Sequence, residues 1–409
     1  MKSSIYLFIM LAALVIACDQ PAKPAFAYVK GKEIFAANGE VLHLKGVNLG
    51  NWLLPEGYMF KLSKCSAPRK IDQAVRELIG NTATTAFWDN YLDHYITEPD
   101  IRWLADAGAN VVRLPFDYRL LTHDDFLGRD IQGYTYLDRA IEWCGKYGIY
   151  VLLDMHAAPG GQTGDNIDDS DGFPWLMIDT SMQREVCDLW QDIARRFAAN
   201  ASVIGYNLLN EPIPHYFAKD SLKPYLEPLY KRITAAIREV DPDHIIFLGG
   251  AVWETDFSVF SEPFDSNLAY TFHKYWMPPE QKQIQEYIDF RDKYQVPILM
   301  GESGENDDEW VKSFRELLDA NEIHWTFWPY KKMNNTRGPM NFNQPEGYEH
   351  FIGYAESDRQ TYGQIRMLKD SLPGIQPEAI KAVLDQFVAN SKFENCFPNP
   401  GYCEALGFK

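Results

Sequence analysis

The sequence predicts an α/β fold, a (β/α)8 TIM barrel with an N-terminal β-hairpin and extended βα-loops. Eight short apolar runs spread over about 300 residues, with amphipathic helix-spaced segments between them, fit the size and rhythm of such a barrel. An open nucleotide-binding sheet would need a Gly-rich turn after its first strand, and the sequence has none there. The composition is that of a packed domain. Of 409 residues, 46% are hydrophobic and 23% charged, which excludes a disordered chain. A net charge of −18 repels phosphate backbones, so no nucleic-acid partner is expected.

Residues 1–17 read as a lipoprotein-type signal peptide. Lys2 gives a positive start, the apolar run 6–17 is too short for a permanent span, and Val15-Ile16-Ala17 precedes Cys18 as in a lipobox. Cys18 would then carry the lipid, and residues 18–26 form a short Pro/Ala tether. The mature chain is thus expected in a bacterial periplasm or at the outer membrane or cell surface, touching membrane only through Cys18. Residues 27–387 are assigned to the barrel and 388–409 to a C-terminal tail. Near the start of the barrel unit, Asn38-Gly39 between alternating apolar runs is a hairpin signal, and the hairpin would cover one barrel end.

The eight strands are expected at 44–48, 109–116, 148–156, 202–212, 244–250, 268–275, 296–302 and 323–328. Helices at 96–108, 136–148 and 183–200 lie between them, closing on Gly108, Gly148 and Asn200 as C-terminal caps. The loop 157–175 is long, Gly-rich and acidic. It lacks the spacing of a calcium loop and reads as solvated, and an insertion there would wall off one end of a cleft.

Cysteine usage is sparse. Cys144 and Cys187 fall in helical patterns and read as small buried hydrophobes, whereas Cys396 and Cys403 flank a Pro/Gly segment where an oxidising compartment favours a disulfide. No Cys or His spacing suggests zinc, so no metal and no organic cofactor is expected.

In such barrels chemistry gathers at the C-terminal strand ends. The polar residues that end the apolar runs are Asn48, Arg113, His156, Asn210 with Glu211, His273 with Tyr275, Glu302 and Trp328. Two are carboxylates, on the fourth and seventh strands, and a charged side chain beside a core is costly unless paired or used. A pair of carboxyl groups across a cleft is the machinery of glycoside hydrolysis, one protonating the leaving oxygen and the other attacking carbon or activating water.

Asn210-Glu211-Pro212, Glu302 in GES, HKY on the sixth strand, VVRLP on the second and WTFW on the eighth together resemble glycoside hydrolase family 5, the cellulase-type retaining enzymes. GVNLGNWLLPEGYM and LDMHAAPGGQTG look most like its exo-β-1,3-glucanase branch. The resemblance implies Glu211 as general acid/base and Glu302 as nucleophile. It places Arg113 and Tyr275 on Glu302, His273 beside Glu211, Asn210 and His156 on sugar hydroxyls, and Trp328 under the reacting sugar. Trp276 directly follows HKY and is a further substrate contact, while Trp52, Trp88, Trp175 and Trp253 are outer-subsite or packing residues.

The expected function is a retaining β-glycosidase on β-glucans or related β-glycans, exo-acting on that branch's pattern. Its partner is an oligo- or polysaccharide, and the chain is expected to be a monomer. Two alternatives stand: an endo-acting cellulase or mannanase of the same family, and a non-catalytic surface glycan-binding lipoprotein, which would not need both Glu211 and Glu302. Three competing assignments also stand. Glu305 competes with Glu302, Glu211 could be an acid at a helix start, and Arg113 could be a structural ion pair.

Overall fold

The computed structural model describes residues 26–122, 126–128 and 133–409; the signal peptide, Cys18 and nearly all of the tether lie outside the described residues. Its centre is a closed barrel of eight parallel strands: β1 (Lys45–Asn48), β2 (Val111–Asp117), β3 (Tyr150–Ala157), β4 (Val203–Asn207), β5 (Ile245–Gly249), β6 (Leu268–His273), β7 (Ile298–Glu302) and β8 (His324–Phe327). Each coincides with an expected run. The fourth is shorter than its run: pairing stops at Asn207, and residues through Glu211 follow an irregular path in which Leu208 N donates to Phe247 O and Asn210 N to Met155 O.

The expected hairpin exists and is part of a three-stranded antiparallel sheet, Tyr28–Lys30, Glu33–Phe35 and Val41–Leu42. Its Ile34 is fully buried against Leu44, Val111, Leu152, Ile204, Ile245 and Leu299, so the sheet seals the N-terminal end of the barrel, opposite the strand ends that carry polar groups. The helix Glu98–Ala107 starts on a reciprocal cap between Thr97 and Asp100 and ends at Gly108 in the left-handed region, as expected. Gly148 is also left-handed. Asn200 is not a left-handed cap: its helix ends at Phe197, and the Asn200 side chain accepts from Ser202 N, because a polar side chain there closes the turn into β4.

Additions decorate the upper rim. Two helices, Pro68–Ile79 and Asn81–His94, intervene between β1 and β2 ahead of the barrel helix Glu98–Ala107, and after β8 the chain forms a small sheet (Lys331–Met333, Met340–Phe342, Phe397–Pro398) with helices between its second and third strands and one more after it. The boundary at 387 is crossed by the helix Pro377–Ser391, and the last residues are packed: Lys409 N donates to Ala107 O, and the helix Pro400–Ala405 lies on Asp308–Ala320. A buried pair, Lys331 Nζ to Asp100 Oδ1 at 2.7 Å, ties this region to the first barrel helix. Cys396 and Cys403 are free thiols, both directed at backbone carbonyls, so no disulfide joins them. Cys144 is buried as expected, and Cys187 is half-buried.

Candidate active site

Strand register brings the polar strand ends to one level. Asn48 pairs with Arg113 across β1 and β2, and Glu302 pairs with His273 across β6 and β7, where a bulge lies between Met300 and Glu302. Gly301 in that bulge is required by packing, since a Cβ there would sit 2.9 Å from His273 Nε2 and 2.4 Å from Thr271 Oγ1. The strand ends open into a cavity of about 620 Å³ lined by carboxylates and aromatic rings, among them Glu211, Glu302, Tyr275 and Trp328.

Arg113 is fully buried and organises the floor. Its Nε donates to Asn207 Oδ1, Nη1 to Asn48 Oδ1 and Glu302 Oε1, and Nη2 to Asn210 Oδ1, with Asp154 Oδ1 3.0 Å from Nη2. A guanidinium has five N–H groups, and four of them have hydrogen-bond acceptors here, while Asp154 adds a nearby opposite charge. Removing it would leave Glu302 and Asp154 as uncompensated charges, so Arg113→Ala is expected to cost about 3–5 kcal/mol of folding stability, read by urea denaturation. Arg113 is thus both an ion pair and a positioning group for Glu302 and Asn210.

Glu302 also accepts from the Tyr275 hydroxyl at 3.1 Å. Glu211 lies on the other side of the cavity in a left-handed backbone conformation (φ 46°), in a loop and not at a helix start, since the next helix begins at Lys219. Its Oε1 is 2.8 Å from His273 Nδ1. Burial, followed by the nearby Glu302 carboxylate, holds the Glu211 carboxyl well above the ordinary carboxylate range. Burial likewise keeps His273 well below the usual histidine range, with Arg113 and His156 adding to the effect. One carboxyl stabilised by a cation and a second kept protonated is the division of labour that acid and nucleophile require.

His156 Nδ1 is 2.7 Å from Asp154 Oδ2, and its Nε2 faces Asn210 Nδ2 at 3.2 Å. Burial opposes a charge on His156, but Asp154 and Glu302 together outweigh it, and the His156 pKa is raised. Trp328 stacks on His156 with ring centres 5.5 Å apart and planes 8° apart, and its Nε1 donates to Tyr58. Trp276 stands at the rim, 73% exposed. Of the other tryptophans, Trp253 lines the cavity and Trp175 is exposed, whereas Trp52 and Trp88 are core. Glu305 does not join the pair: Lys332 Nζ grips both its oxygens, at 2.6 and 2.7 Å.

The loop 157–175 supplies one wall through Ile167. Its acids are not all solvated as expected. Asp168 is buried and accepts from the N–H groups of Thr163, Gly164 and Ser170, and buried Asp169 pairs with Arg119 and Arg69. Backbone amides and arginines meet these charges internally, so the wall is anchored.

Two carboxyls of the site escape strand-end reasoning because they sit in loops. Glu56, after β1, is buried with Oε1 lacking any hydrogen-bond partner among the described residues, and burial pushes it up to about 8. The signal was a lone acid in the apolar stretch 52–60. Between about pH 4.5 and 8 the folded chain holds a Glu56 proton that the unfolded chain has lost, so this group makes stability fall as pH rises through that window. Glu56→Gln is expected to flatten that part of a Tm-against-pH curve. The second loop carboxyl is Glu254, after β5.

Ligand atoms of Glu211, His273 and Glu302 lie within 4.8 Å of one another, a spacing that could hold a cation, but Arg113 already neutralises Glu302. The same closeness matters for the carboxyl pair. Carboxyl groups about 5–5.5 Å apart suit direct attack, whereas roughly 6.5–9.5 Å leaves room for a water.

Sequence comparison agrees with this geometry. The cellulase family, glycosyl hydrolase family 5, matches residues 72–334, more than half of the chain. The chain belongs to glycosyl hydrolase family 5. It is 34% identical over 256 residues to a beta-xylosidase of Phanerodontia chrysosporium, covering 61% of this chain but 52% of that protein. To a probable glucan 1,3-beta-glucosidase A of Aspergillus terreus it is 32% identical over 225 residues, 53% of this chain and 52% of that one. The chain thus spans about half the length of these two relatives. In fold it resembles the catalytic domain of the Thermobifida fusca endoglucanase Cel5A, with a TM-score of 0.51 and 17% identity over 85% of this chain and 97% of that one.

Proposed function

We propose that this family 5 enzyme is a retaining exo-β-glycosidase acting on β-glucans, with Glu302 as nucleophile and Glu211 as acid/base. The observation that carries the reading is the close carboxyl pair, one member bound by Arg113 and Tyr275 and the other held protonated by burial. Glu302 attacks the anomeric carbon while Glu211 protonates the departing oxygen. Glu211, now a carboxylate, then takes a proton from the water that releases the sugar. Asn210 and His156 are placed to bond sugar hydroxyls, and Trp328 offers an apolar face beneath the ring. Trp276 extends a contact toward the leaving group.

Exo action is supported by the anchored wall at Ile167 and by Glu56 and Tyr58, which border the same cavity. It is also supported by the relative named as a glucan 1,3-beta-glucosidase. Product analysis on laminarin, barley β-glucan, carboxymethylcellulose and mannan tests it. Single glucose units released first from laminarin, as the β-anomer by NMR, are expected; a rapid viscosity fall with mixed oligomers would instead mean endo action.

A further inference from the structure

Glu254 is fully buried, touches no solvent, and has no part in the double displacement just described. Its backbone is demanding: Val252, Trp253 and Glu254 have φ of 56°, 60° and 58°, three consecutive residues in a region that side chains disfavour. The segment is closed on itself by reciprocal bonds between Ala251 and Asp256. The backbone is bent so that the Glu254 carboxyl turns inward, passing over Gly249, where a Cβ would lie 2.5 Å from Glu254 Cδ.

What the carboxyl reaches is the underside of the acid/base. Its Oε1 accepts from Glu211 N at 3.1 Å. Its Oε2 lies 3.3 Å from His273 Nε2, and neither of these two buried atoms has a hydrogen-bond partner among the described residues. The other imidazole nitrogen, Nδ1, is the one 2.8 Å from Glu211 Oε1. Glu254, His273 and Glu211 are therefore in line, and a single proton position decides the polarity of the whole row.

We infer that Glu254 is a positioning residue: a neutral carboxylic acid whose O–H donates to His273 Nε2, fixing the tautomer in which Nδ1–H donates to Glu211. The inference rests on the proposed role of Glu211. With Nδ1–H aimed at Oε1, the Glu211 proton resides on Oε2, free to reach the leaving group. With the proton on Nε2 instead, the Nδ1 lone pair would capture the Glu211 proton and hold it away from the substrate.

The surroundings favour the neutral acid. Glu254 is faced by Asp154 and Glu302, by Glu211 and by the Tyr230 ring, with Arg113 as the nearby cation, and Arg113 is already bound to Asp154 and Glu302. Burial is the largest influence and raises the Glu254 pKa well above the ordinary range, while His273 is held neutral. Glu211 is faced by Glu302, Glu254, Arg113 and Glu56, together with His273.

Nitrogen NMR of histidine-labelled protein, with His273 assigned through the His273→Gln variant, reads the tautomer without reference to activity. The proton is expected on Nδ1 in the wild type and in Glu254→Gln, whose amide also donates to Nε2, and on Nε2 in Glu254→Leu. On an alkyl β-glucoside, Glu254→Leu should lose about 10-fold to 100-fold in kcat/KM, with the alkaline limb of its pH profile moved upward. Glu254→Gln should stay within a few-fold of wild type, and a dinitrophenyl glucoside, which needs no protonation to leave, should barely respond. Wild-type protein with the His273 proton on Nε2 overturns the inference even if Glu254→Leu does not fold. Equal losses on both substrates with an unshifted profile overturn it too. Failure of the exo-glycosidase reading would show as inactivity on both glucosides, leaving the NMR result intact.

Discussion

Glu302→Ala is expected to lower kcat on any β-glucoside by roughly 10⁴-fold or more, because a nucleophile in a covalent route has no substitute. The identity of the group is tested by chemical rescue. Removing the carboxylate opens space beneath the anomeric carbon, next to Arg113 Nη1 and the Tyr275 hydroxyl, which remain as donors. Azide can enter that space and attack from the face Glu302 used. The product should then be the α-glycosyl azide, formed in one inversion. Recovery of the β-azide, or hydrolysis surviving in the variant without any added anion, would move the nucleophile elsewhere.

The second large effect belongs to Glu211→Ala, and its signature is a split between substrates. Loss of a general acid costs about 10²–10⁴-fold where the departing oxygen needs a proton. Laminarin and alkyl glucosides should suffer that loss, while a dinitrophenyl glucoside should still form the glycosyl-enzyme and then stall, showing a burst and a lowered KM. Azide now replaces the missing base in the second step and gives the β-azide, the opposite stereochemistry from the Glu302 variant. A variant equally poor on both substrates, with no burst, would show that Glu211 is not the acid. In the wild type the alkaline limb of kcat/KM reports loss of the Glu211 proton. Because burial and the Glu302 charge hold that carboxyl high, activity should persist well above the pH at which an exposed glutamate ionises.

What the sequence discloses follows the barrel's own regularity. Parallel strands buried on both sides are continuous apolar runs, so all eight could be located, and the residue that breaks each run marks the mouth. Arg113, His156, Asn210, His273, Glu302 and Trp328 are found this way, and the structure brings them together with Glu211 and Tyr275. Glu56 and Glu254 have no such marker. They reach the site through bends that depend on Asn51 Oδ1 receiving Glu56 N and on three left-handed residues at 252–254, neither of which has a periodicity to read. Acidity alone also misleads: Asp168 and Asp169 sit in an acid-rich run that reads as solvated, yet backbone amides and arginines draw them inside. The Cys396 and Cys403 thiols come near in sequence, but each is directed at its own carbonyl, which spacing does not reveal.

The Arg113 guanidinium has a consequence for how such an enzyme can change. It fixes the nucleophile strand, the residue before the acid and the barrel's first and third strands through one rigid plane rooted in β2, and among the described residues none of its hydrogen-bond or ion-pair partners lies in the loop 157–175. Reaction geometry and substrate choice are therefore held by separate parts. Loops such as 157–175 can be lengthened, shortened or exchanged to accept another sugar or linkage while the bond-breaking apparatus keeps its shape.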